Sequence, residues 1–204
     1  MADSNLSPRS ESALTQQLKG NVKVLGSATA LMWVIEIVDH LPFVGQLDAL
    51  GVHPRSAAGL LGILFAPFLH GSFTHLMANT LPFLLLGLLT MTRKRMDFFV
   101  VSAASALTAG LGAWVFGGAN TVHVGASGVI FGYLGFLLAR GWFERKASSI
   151  LLSLAVAAAF GGMIWGVLPG LYAGVSWESH LFGFIGGVLT ARALGRGMRA
   201  GKTP

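Results

Sequence analysis

Residues 98–139 read FFVVSAASALTAGLGAWVFGGANTVHVGASGVIFGYLGFLLA, a run of 42 residues without an Asp, Glu, Lys or Arg. A helix needs about 20 apolar residues to cross a bilayer, so this run is long enough to cross twice. A glycine-rich break, FGGANTVHVGA, divides it. The uncharged runs Ser56–Thr92 and Ala147–Trp177 have the same character. Of the 204 residues, 53% are hydrophobic and 11% charged, whereas a soluble domain carries about 25% charged residues. The chain therefore reads as an all-α polytopic membrane protein whose main solvent is lipid.

Six spans are expected, at about 24–44, 73–91, 98–116, 127–139, 149–168 and 179–194. Charge placement tests that number. With six spans, 13 of the 14 basic residues share one side, and Arg55 alone lies on the other. The positive-inside rule then puts both termini in the cytoplasm. The net charge of +6 thus reports topology and contact with anionic lipid headgroups, not a nucleic-acid partner. The polar residues 1–21 are expected to form a disordered cytoplasmic tail, 22–196 a membrane domain and 197–204 a short basic tail. The first apolar helix is expected to act as an uncleaved signal anchor. With no cysteine, thiol nucleophiles, disulfides and thiolate metal sites are excluded. The connection at 45–72 is long and too apolar to float in water. It is expected to lie in the outer leaflet as an interfacial or re-entrant element.

Two spans look short. Ser127 lies 13 residues before Arg140, and His180 lies 12 before Arg192, about 20 Å and 18 Å of helix against a hydrocarbon core of about 30 Å. If both arginines mark the cytoplasmic interface, Ser127 and His180 begin their helices roughly 10 Å below the outer surface. His75 starts the second span, and Asn79 follows one turn deeper on the same face. Four polar side chains thus converge on the outer half of the membrane, where non-helical backbone such as 122–126 must line protein or a wet cavity.

That set has a chemistry. A serine becomes a nucleophile when an adjacent base removes its proton, and histidine is the usual base near neutral pH. Ser127 begins a helix, so free backbone N–H groups lie beside it and the helix dipole favours negative charge there. His75 and Asn79 add side-chain donors for a developing oxyanion. Gly183 and Gly187 follow His180, and Gly125 and Gly128 flank Ser127; such small-residue faces let membrane helices approach backbone to backbone. Each residue alone has a plainer reading: Ser127 as packing, His180 as bonded to a carbonyl, Asn79 as interhelical glue. The set as a whole carries the case.

The blocks HGSFTHLMANTLPFLLLG from His70, VGASGVIFGYLGFLLARG from Val124 and SHLFGFIGG from Ser179 resemble the rhomboid family of intramembrane serine proteases, over about 52–193. The resemblance implies a six-helix bundle of the bacterial type in the plasma membrane. It implies Ser127 as nucleophile, His180 as general base with no carboxylate behind it, and His75, Asn79 and the Ser127 amide as oxyanion donors. It implies no cofactor and no metal, with membrane-anchored proteins as substrates. It also implies that 149–168 and 169–177 act as lateral gate and lid. Two positions depart from the pattern. Arg55 lacks the tryptophan that usually precedes it, and Phe131 stands where Tyr is frequent, still able to stack on His180. The alternatives are a silent rhomboid-like adaptor that binds transmembrane segments, a histidine-lined proton path, and a metal site from His70, His75, His123 and His180. Substrate identity, oligomeric state and the roles of Glu36 and Asp39 are not set by the sequence.

Overall fold

A computed structural model describes residues 8–41, 44 and 46–200. Among them the chain is all-helical: α1 (Pro8–Asp39), α2 (Ala57–Phe65), α3 (Phe73–Thr90), α4 (Arg95–Phe116), α5 (Ser127–Glu144), α6 (Ala147–Phe160) and α7 (Trp177–Ala200). By length and composition four segments can cross a membrane: Leu14–Asp39, Phe73–Thr90, Arg95–Phe116 and Ala147–Val167. The expected fourth and sixth spans, α5 and α7, carry charges within their length and are not among the four. α5 is instead the inner helix, and α7 lies against it. α5 packs against α3, α4, α6 and α7, and Val129 through Leu137 are all buried.

Several boundaries differ from expectation for physical reasons. Residues 8–21, expected to be disordered, are the first turns of α1. Pro8 suits a first helical position, and the far end of this segment is docked: Asn21 is buried and its Oδ1 accepts from Arg95 Nε at 3.0 Å. Residues 1–7 and 201–204 lie outside the described residues, and α7 runs through the first half of the expected basic tail, to Ala200. α5 continues past Ala139 to Glu144, so it is about 27 Å long rather than short. Arg140 does not mark an exposed interface; it is buried, with Nε on Glu144 Oε1 at 2.9 Å and Nη1 on Thr92 Oγ1 at 3.0 Å.

The connection between α1 and α3 contains a helix, α2, of only 9 residues, far below the roughly 20 needed to span. Ser56 caps it by accepting from Gly59 N at 3.0 Å. The connection is fastened to the C-terminal end of α4. Arg55 Nη1 donates to the carbonyls of Val115 and Gly117 at 3.0 and 2.8 Å, a cation on a helix C-terminus. Trp114 Nε1 donates to Ser56 O at 2.8 Å, a second tie between α4 and the connection. Arg55→Ala is expected to lower stability by about 1–2 kcal/mol, seen as a reduced unfolding temperature in detergent; an unchanged temperature refutes this role. Asp39 Oδ1 accepts from Leu47 N at 2.5 Å, which ties α1 to the same connection. Glu36 is 1% exposed, with His40 Nδ1 3.6 Å from its Oε1.

The packing of α5 on α7 sets the register of everything that follows. A Cβ on Gly183 would collide with the carbonyl oxygen of Gly128, and one on Gly187 with that of Gly132. On α5, a Cβ at Gly135 would strike Phe184 O. The two helices touch through bare backbone. Both pairings rise together in number, so α5 and α7 run parallel, and the chain between them must return along the bundle. α6 makes that return on the outside, with only Ser149 and Val156 buried. It is held to α5 by Ser153 Oγ on Leu137 O at 2.6 Å and Ser149 Oγ on Glu144 Oε2 at 2.5 Å.

Candidate active site

The segment 117–126 leads into Ser127, and it is stitched in place by backbone. Val52 and His123 exchange hydrogen bonds of 3.0 Å in an isolated antiparallel bridge. Gly125 N donates to Ala66 O at 2.8 Å, and Ala126 N donates to His70 Nε2 at 3.4 Å. Burial lowers His70 to about 4, with His75 adding to the effect, so its ring is neutral and can accept. Gly125 has φ +118°, a conformation that favours glycine. A Cβ there would also lie 2.9 Å from His75 Nε2 and 3.6 Å from Asn79 Nδ2. The bare backbone at Gly125 therefore faces both side chains of α3.

Ser127 is the first residue of α5, where backbone N–H groups have no partner within the helix. Ser127, His75, Asn79 and His180 all line one cavity of about 750 Å³. Asn79 is 7% exposed, and its Nδ2 has no hydrogen-bond partner. A buried amide donor without a partner is costly unless something in the cavity accepts from it.

His180 lies in the first turn of α7, 8% exposed. Its ring stacks on Phe131 with centroids 4.0 Å apart and planes at 10°. Its Nδ1 lies 3.0 Å from the carbonyl of Gly166. A carbonyl only accepts, so Nδ1 carries the hydrogen and Nε2 is left as the basic nitrogen. No direct bond joins Ser127 to His180 among the described residues; both face the same cavity. Catalytic hydrogen bonds are often long without substrate. Gly166 belongs to the 3₁₀ segment Gly161–Val167 that continues α6, so the element lying over the ring also orients it.

His75, Asn79, Ser127 and His180 share the cavity, and Phe131 stacks on the His180 ring. Gly128, Gly183 and Gly187 lie where α5 meets α7, whereas Gly125, expected in helix packing, precedes α5 and faces His75 and Asn79 instead. Among the described residues, no three His, Asp or Glu side chains are placed to hold a metal ion. Sequence reasoning missed the Gly166 carbonyl, because a backbone acceptor has no sequence signature. It also missed a polar chain at the cavity mouth. Thr121 Oγ1 lies 2.9 Å from His123 Nε2, Ser176 Oγ 2.7 Å from His123 Nδ1, and Glu178 Oε2 3.2 Å from Ser176 Oγ.

The family described as Rhomboid domain matches residues 57–197, which include the cavity-lining Ser127, His180, His75 and Asn79. The chain belongs to the rhomboid family. Among similar proteins, an uncharacterized protein of Mycobacterium tuberculosis is 39% identical over 198 residues, 91% of this chain and 82% of its own length. An uncharacterized protein of Mycobacterium leprae is 37% identical over 204 residues, 95% of this chain and 80% of its own. The "Putative rhomboid protease YdcA" of Bacillus subtilis is 32% identical over 171 residues, 78% of this chain and 81% of its own.

Proposed function

We propose that this rhomboid is an intramembrane serine endopeptidase that cuts membrane-anchored proteins in or near the outer half of the bilayer. The observation that carries the reading is one cavity shared by a helix-starting serine and a histidine whose Nδ1 is held by the Gly166 carbonyl. Ser127 Oγ attacks the scissile carbonyl and passes its proton to His180 Nε2. The C–O bond forms and the carbonyl electrons move to oxygen. That oxyanion is met by the Ser127 backbone N–H, the Asn79 amide and the His75 ring. When the tetrahedral adduct collapses, His180 gives the proton to the leaving amine. Water, deprotonated by the same nitrogen, then hydrolyses the acyl-enzyme. No carboxylate is needed to hold the base, because a ring stack and a carbonyl fix its plane and tautomer.

The parallel pairing of α5 and α7 supports a crossing by α6 between them, as six crossings require, and the placement of the basic residues favours cytoplasmic termini. α5 crosses inside the bundle, where Arg140 and Glu144 cover each other; the exposed Arg192 and Arg196 lie toward the C-terminal end of α7. The peripheral α6 and its 3₁₀ extension are the gate through which a substrate segment reaches the cavity, and 169–177 is the lid.

Asn79→Ala is expected to reduce kcat by about 10²-fold with little change in KM, the loss typical of one oxyanion donor. Initial rates on a single-span reporter in liposomes check this, and an unaltered kcat removes Asn79 from the oxyanion site. The same assay tests the whole reading. Binding of the reporter with no cleavage by wild-type protein selects the silent adaptor instead.

A further inference from the structure

Glu178 is the only carboxylate among the residues lining the cavity that holds Ser127 and His180. It is 7% exposed, and no Lys or Arg among the described residues pairs with it. An acid in the first turn of a helix complements the dipole, but that role is cheapest in water, and Glu178 has left water for the cavity wall.

Its hydrogen-bond supply is thin. Ser176 Oγ donates to Glu178 Oε2 at 3.2 Å, and the same hydroxyl lies 2.7 Å from His123 Nδ1 and 2.9 Å from Ser179 Oγ. A carboxylate accepts at both of its oxygens. One shared, neutral hydroxyl leaves most of that capacity, and the whole of the charge, to be met by whatever enters the cavity.

We propose that Glu178 is a substrate subsite, receiving a Lys or Arg side chain close to the bond to be cut. Such a side chain brings further donors and the opposite charge together. The positive-inside rule makes basic residues scarce on the outer flank of membrane segments, so the subsite narrows the set of segments this protein accepts. The proposal rests on the endopeptidase reading for its cleavage measurement but not for its binding measurement.

The test uses single-span reporters that differ at one residue, with Lys, Gln or Glu walked through the positions on either side of the scissile bond. Wild-type protein in liposomes is expected to show, at one position, a kcat/KM for Lys about tenfold above that for Gln, the worth of one charge-assisted hydrogen bond. Glu178→Gln brings that ratio to about one, and Glu178→Lys reverses it in favour of the Glu reporter. Dissociation constants of the same reporters with wild-type and Glu178→Gln protein in nanodiscs are expected to show the same ratio and its loss. A ratio that persists in Glu178→Gln, or a wild-type protein indifferent to Lys in both measurements, overturns the subsite. Equal loss of activity on all reporters in Glu178→Gln, with a lowered unfolding temperature, assigns Glu178 to helix capping and also overturns it. Absent cleavage with a Lys preference in binding that Glu178→Gln removes refutes the endopeptidase reading and leaves the subsite standing.

Discussion

Ser127→Ala removes cleavage of a single-span reporter, with an expected loss of about 10⁶-fold in kcat, the size seen when a protease loses its serine or its histidine. The protein keeps its fold, because the Ser127 side chain makes no hydrogen bond among the described residues and α5 begins equally well with alanine there. His180→Ala gives the same kinetic loss by a different route. Without Nε2 there is no acceptor for the serine proton, and Ser127 attacks as a neutral hydroxyl, which is a poor nucleophile. This variant also loses the stack on Phe131 and the bond to the Gly166 carbonyl, so a fall in stability of about 1–2 kcal/mol accompanies it. A fluorophosphonate is expected to label wild-type protein at Ser127 and to leave both variants unlabelled, while chelators leave the rate unchanged. Full activity in Ser127→Ala ends the serine mechanism, and loss of activity with chelator restores the metal reading.

Gly183→Ala is expected to cost about 10²-fold in kcat and about 1–3 kcal/mol in stability. The added methyl meets the carbonyl oxygen of Gly128, which is backbone and cannot rotate away. α5 and α7 must part, and the shift is felt where it matters, because Gly128 follows Ser127 and Gly183 lies one turn beyond His180. Displacing reacting groups by about 1 Å is enough for a loss of this size. Gly26→Ala in α1 is the control: a Cβ there meets nothing within 4 Å, and alanine favours a helix over glycine by about 1 kcal/mol. Unfolding temperature and cleavage rate measured on both variants decide the matter. Equal behaviour of the two shows that the α5–α7 contact does not set the geometry of the site.

Much of the site was legible in the sequence because its chemistry is carried by residue types at fixed spacings. His75 and Asn79 are one turn apart, so one helix face presents both. Ser127 follows a glycine at positive φ, and a helix start after such a break was readable. Gly183 and Gly187 announced a bare face on α7. Less legible was the length of the inner helix, α5. Arg140 reads as an interface marker in a one-dimensional chain, but folding pairs it with Glu144 and Thr92 inside the bundle, so α5 runs on. Residues 8–21 look like a tail because their anchor, Arg95, lies 74 residues from Asn21.

The sequence by itself determined that the chain is a helical membrane protein and that it carries the rhomboid motifs. Composition and periodicity settle these, because solvation of a helix and the identity of a side chain are local properties. The tertiary structure alone decided what holds the His180 ring in place, how the loop before Ser127 is fastened, and where Glu178 stands. Each of these depends on a contact across the bundle: the Gly166 carbonyl on His180, Val52 against His123, and Ser176 divided between His123 and Glu178. A hydrogen bond is defined by the position of its partner, and no local pattern encodes a partner brought from another helix.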